Sequence, residues 1–188
     1  MGHNDDSDVK IFEIKHPDSD KDDIITIVEE TSRQRQNGNS TKARKLGKEL
    51  SVIATDDNFL DSFLSIYELA PEATEQVFAL MQFSSEAALN FYLPSNILST
   101  IAVNTLQEAL IKSQNEIYNA ALNGSSFSFY YLSVRKGGSD LPVDVGRAFA
   151  MLCGKENDEH YIKAGKQIYL KSLKLVEDKI KEFDFAND

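Results

Sequence analysis

The sequence predicts an all-α fold: an irregular multi-helix bundle of about nine helices around one long central helix at residues 95–122. Three observations predict it. The chain of 188 residues holds only four prolines and nine glycines, too few for a turn-rich β sandwich. Apolar residues recur at steps of three to four through most of its length, the period of an amphipathic helix. Short Ser, Thr, Asp, Asn, Gly and Pro signals divide these periodic stretches at spacings suited to helix starts and stops. Nothing repeats at a fixed offset of 33–47 residues, so the pattern does not describe a solenoid.

Residues 1–17 form an expected acidic, partly disordered arm, and 18–188 a single all-α domain. In the arm, Val9 to Lys15 alternates imperfectly and suits a short strand or an extended segment; His16-Pro17 then breaks the chain. Ser19-Asp20-Lys21-Asp22 resembles a capping box with acids at the positive end of a helix. That helix carries Ile24, Ile25, Ile27 and Val28 and stops at Asn37-Gly38. A second runs from about Thr41 to Ala54 with Leu46, Leu50 and Ile53 inward. Thr55-Asp56-Asp57 opens a third, whose wide apolar face, Phe59 to Ala70, suits contact with more than one neighbour. Pro71 separates it from a fourth with Val77, Phe78, Leu80, Met81 and Phe83 inward. Ser84-Ser85 is expected to cap a short fifth, ending at Pro94.

The central helix is expected from Ser95, a cap, to Asn123-Gly124, a stop. After it, Phe127, Phe129 and Tyr131 alternate as in a strand, but a lone strand would have no partner, so residues 126–136 are expected to be helical. Pro142 suits the first turn of the next helix, which Gly154 ends. Asn157 is expected to cap a last helix from Asp158 to about Phe183.

Charge is unevenly distributed. Residues 1–30 hold ten acids and three bases, 31–55 six bases and one acid, and 56–92 seven acids and no base, within a net charge of −10. An acidic total argues against non-specific attraction to nucleic acid or anionic lipid. The basic run Arg33–Lys48 has no interleaved aromatics and is expected to balance its acidic flanks. No apolar run reaches the length of a membrane span. The single cysteine, Cys153, rules out an internal disulfide and suits a reducing cytoplasm.

Candidate chemistry is sparse. Cys153 is expected at a helix C-terminus, where the negative dipole end disfavours a thiolate, so it reads as a packed small hydrophobe. His160, with Glu156, Asp158 and Glu159, makes an acidic turn, but no paired Glu-x-x-His set accompanies it, so no metal and no cofactor is expected. The one constellation with a binding logic is Arg135, Lys136, Gly137 and Gly138 with Arg147, flanked by Tyr130 and Tyr131. Backbone N–H groups of a Gly-rich turn can cradle an anion that nearby cations neutralise. Without a nucleophile–base pair, a metal set or a phosphate loop, the expected function is a non-enzymatic protein-interaction or regulatory domain, with a protein partner or self-association. A binder of an anionic or phosphorylated ligand at the Arg135–Arg147 hairpin is the alternative.

Overall fold

The structure, a computed structural model, describes residues 17–114, 116–123, 126–136 and 140–186. The expected strand or arm at Val9–Lys15 and the Gly137-Gly138 turn lie outside these residues. Among the described residues there are nine α-helices and no strand. They are α1 (Pro17–Gln36), α2 (Asn39–Ala54), α3 (Asp57–Ile66), α4 (Thr74–Tyr92), α5 (Asn96–Lys112), α6 (Glu116–Asn123), α7 (Ser126–Lys136), α8 (Leu141–Leu152) and α9 (Glu159–Glu182). A 3-10 turn at Pro71–Ala73 leads into α4.

The expected fold class holds, with its centre elsewhere. The stretch 95–122 is two helices, parted at Ser113 and Gln114, where Gln114 adopts a left-handed φ of 52°. Its core positions Leu98, Ala102, Leu106, Leu110 and Tyr118 keep a four-residue step across the break, which is why periodicity suggests one helix. The polar run Lys112-Ser113-Gln114-Asn115 falls where a further buried residue was required.

The central element is α4. It packs against α2, α3, α5, α6, α7, α8 and α9, and every residue from Val77 to Ser84 is buried. A helix buried on all sides has no polar face, so its pattern is a continuous apolar run rather than a stripe. The expected break at Ser84-Ser85 does not occur. Ser84 Oγ donates to Leu80 O at 2.6 Å and Ser85 Oγ to Met81 O at 2.8 Å, so both hydroxyls are satisfied inside the helix.

Other boundaries follow local chemistry. Pro17 is the first residue of α1 rather than a break before it, as proline's fixed φ allows. Gly38, at φ 81°, turns α1 into α2. Ser95 caps α5 through Leu98 N at 3.3 Å. The cap of α9 is Asp158, not Asn157: its Oδ1 accepts from His160 N at 2.9 Å and Tyr161 N at 3.4 Å. Residues 126–136 are helical, as expected, and Gly154, at φ 66°, ends α8.

Two helix pairs cross closely enough to require glycine. A Cβ on Gly47 of α2 would lie 2.4 Å from Ala102 O of α5. One on Gly146 of α8 would lie 2.3 Å from Ile162 O of α9, and one on Gly165 of α9 would lie 2.6 Å from the Phe149 Cβ of α8. At the end of the chain, Ala186 exchanges two backbone hydrogen bonds of 3.0 Å with the buried Asn39 side chain, tying the segment after α9 to the start of α2.

Candidate interaction surface

Helix α7 packs on α4 and α8. Its buried positions are Ser126, Tyr130 and Ser133, at the i, i+4, i+7 spacing of one helical stripe, and Phe127 is partly buried against the core. Four further large apolar side chains, Phe129, Tyr131, Leu132 and Val134, are exposed.

Two concavities flank α7. On one side Tyr131 and Val134 meet Phe83, Ala87, Asn90 and Phe91 of α4 around a groove of about 290 Å³. Phe91 stands on its rim, 79% exposed, with its ring edge-on to Tyr92 at 4.9 Å. The floor is Phe83, against which Tyr131 packs edge-on at 5.4 Å and Tyr130 tilted at 5.3 Å. Glu86 is buried close by; its Oε1 accepts from Gln82 Nε2 and Gln107 Nε2, each at 3.0 Å. Burial, with the Glu86 carboxylate adding to it, raises the Tyr131 hydroxyl above its ordinary value.

On the other side Phe129, Leu132 and Ser133 meet α8 and the start of α9 around a groove of about 580 Å³. Arg147 lies on its lining, half-bound to Asp144 at 3.3 Å, together with Glu156 and Glu159. Three carboxylates to one guanidinium give this groove an acidic balance.

The ligand set expected from sequence is therefore distributed. Arg147 lines the larger groove and Tyr131 the smaller, while Tyr130 is fully buried in the core. Arg135 is exposed in the last turn of α7 and lines neither concavity. Lys136 closes that helix, and Gly137 and Gly138 lie outside the described residues. Cys153 is half-buried at the end of α8, where burial pushes its thiol up to about 12, so it stays protonated at neutral pH. His160 is exposed, its Nε2 3.4 Å from Glu68 O. Among the described residues no group of three His, Cys, Asp or Glu is placed to hold a metal. No helix among them is long and apolar enough to cross a membrane. The basic run turns inward electrostatically: Arg33 pairs with Glu30, Lys45 with Glu49 at 3.8 Å, and Lys42 Nζ donates to Asp184 O at 2.5 Å.

Tyr130 provides a test of this packing. Its hydroxyl is buried with no hydrogen-bond partner, and burial lifts its pKa well above the ordinary value. Tyr130→Phe removes an unsatisfied polar atom and is expected to stabilise the fold by about 1 kcal/mol in denaturant melts at pH 7. The native state holds this proton where the unfolded chain, titrating near 10, has released it. Tyr130's contribution to stability is thus fully present below pH 10 and is lost as pH rises above it, so the variant should fall less steeply in alkali than the native protein. Equal alkaline slopes, or a loss of stability at pH 7, would show that the hydroxyl has a partner.

No protein-family model, curated protein or solved structure matches the chain.

Proposed function

We propose that this protein is a non-enzymatic interaction domain, working in a reducing, cytoplasmic setting, that docks through the outward apolar face of α7 and the adjoining Phe91. The observation that carries this reading is the exposure of Phe129, Tyr131, Leu132 and Val134 on one helix, beside the 79% exposed Phe91. Side chains of this size contribute about 1.5–3 kcal/mol each when fully buried. Five of them, already about half covered, would add roughly 5 kcal/mol gross on docking, the contribution expected of a transient interface once ordering costs are met. Aromatic anchors beside a concavity are also the residue types that dominate binding energy at interfaces. The unpaired thiol of Cys153 supports a reducing compartment.

An anionic-ligand site at Arg147 is the weaker reading, since Asp144, Glu156 and Glu159 share its groove. The test is a photo-cross-linking residue placed at Phe91, with the same residue at Val52, an isolated exposed position on α2, as control. In cells, position 91 is expected to give discrete adducts with protein, absent from position 52. Adducts no more abundant at 91 than at 52 would overturn the assignment.

A further inference from the structure

We infer that the segment after α9, residues 183–186, is a strap that locks α1 onto the bundle, and that α1 and the strap open together as one unit while the rest of the bundle stays folded. Among residues 25–36 of α1 only one side chain is buried, the amide of Gln34, 1% exposed. The large apolar residues of that stretch, Ile25, Ile27 and Val28, are exposed. This part of α1 is therefore seated by hydrogen bonds and not by apolar burial. Gln34 Nε2 donates to Glu30 Oε1 at 2.7 Å within α1, and Gln34 Oε1 accepts from Asn39 Nδ2 at 2.7 Å. Asn39, fully buried at the start of α2, also donates from Nδ2 to Ala186 O and accepts on Oδ1 from Ala186 N, both at 3.0 Å. One carboxamide thus joins α1 to the segment after α9.

Local chemistry puts the strap there. Asp184, at a left-handed φ of 46°, turns the chain off α9. Phe183 and Phe185, both partly buried against the core, stack at 6.3 Å, and Lys45 of α2 lies 5.7 Å over the Phe183 ring. Lys42 Nζ donates to Asp184 O at 2.5 Å. The coupling between strap and helix follows from Asn39. Both N–H groups of its amide are engaged, one by α1 and one by the strap, in a place closed to water. Losing either partner strands a buried donor, whose desolvation cost then weighs against the remaining contact. Water that enters on one side hydrates the amide for both. Ser40, next in sequence and 2% exposed, has no partner for its Oγ among the described residues and gains one when the seam opens. A permanent seam would be closed as well by apolar side chains of the same shape, so the polar one suits a contact that opens.

The experiment is native-state amide hydrogen exchange, followed by NMR on the full chain in about 0–2 M urea, which separates local from global opening. In the native protein the amides of residues 31–36 and of Ala186 are expected to share one opening free energy and one urea slope, both below those of Leu80 in α4 and Ile168 in α9. Phe185→Ser, which leaves Asn39 and α1 themselves unchanged, speeds exchange in residues 31–36 by at least about tenfold. Gln34→Ala does the same to the Ala186 amide, the reciprocal effect that coupling between two sites requires. Leu80 and Ile168 respond by a much smaller factor in both variants. Separate urea slopes for residues 31–36 and Ala186 in the native protein would overturn the inference, and this comparison decides alone where a variant does not fold. So would unchanged exchange in residues 31–36 of Phe185→Ser or at Ala186 of Gln34→Ala. Equal acceleration of Leu80, Ile168 and the two end segments would also sink it, since the ends would then open only with the whole fold.

Discussion

Gly146→Val is expected to leave a chain with no cooperative unfolding transition. The argument is geometric. At the crossing of α8 and α9 a Cβ on Gly146 would stand 2.3 Å from Ile162 O and 3.1 Å from Lys166 N, both backbone atoms of a helix interior. No rotamer change relieves a contact with backbone, so the helices must separate along their length. From the other side Gly165 receives Phe149, a Cβ there lying 2.6 Å from the Phe149 Cβ, so separation also unpacks a buried ring. Overpacking within a side-chain core costs about 1–3 kcal/mol, and this case adds the loss of a helix pair against a total stability of about 5–15 kcal/mol. Gly146→Ala is the graded version. It gains about 1 kcal/mol of helix propensity and should still lose at least about 2 kcal/mol net. Gly154→Ala is the control: its φ of 66° strains any other residue, but nothing lies within 4 Å, so its cost stays at about 1–2 kcal/mol. Thermal and urea melts on the three variants rank them. An unharmed Gly146→Ala would mean that α8 and α9 are not in this contact.

These glycines show where a sequence stops being informative. Gly47, Gly146 and Gly165 sit inside helices and look like weak points, and only the facing helix reveals them as crossings. The fold class was legible because it depends on local signals: a cap such as Ser95, stops such as Gly38 and Gly154, and the three-to-four step between them. Element lengths were less so. Ser84-Ser85 read as a start because serine hydroxyls favour caps, yet both found carbonyls one turn back inside α4. Gln114 broke a helix without glycine or proline, and the two four-residue steps that separate Leu110 from Tyr118 concealed it.

The candidate site was legible as a neighbourhood and not as a surface. The aromatic segment 127–131 and Phe91 were visible as a cluster, and within it only Tyr130 is fully buried. Which of two adjacent aromatics faces inward depends on helical phase, and α7 has a buried stripe of Ser126, Tyr130 and Ser133 that no hydrophobic pattern announces. The exposure of Ile25, Ile27 and Val28 was hidden for a related reason: a short apolar run reads the same whether its helix buries it or leaves it in solvent.

Phe78→Ala should be the most damaging side-chain truncation in the molecule, and its comparison with the α5–α6 segment tests which element is central. Phe78 lies on α4, 1% exposed, with its ring edge-on to Tyr118 of α6 at 6.0 Å. Truncation removes a phenyl group from a site walled by several helices. Those helices are held by their own contacts, so the cavity does not collapse. Phe→Ala at such sites costs about 3–5 kcal/mol, which approaches the whole stability of a modest domain. Because α4 touches both α5 and α6, the loss also loosens the contact between α4 and α6 beyond the break at Gln114. On the expected central stretch, Ile111→Ala removes a side chain already more than half exposed and should change stability by less than about 0.5 kcal/mol. Urea melts of the two variants give the contrast directly. Similar losses would mean that Phe78 is not buried at this contact; a difference of several kcal/mol fits the burial of α4, the wall on which Phe91 and α7 are mounted.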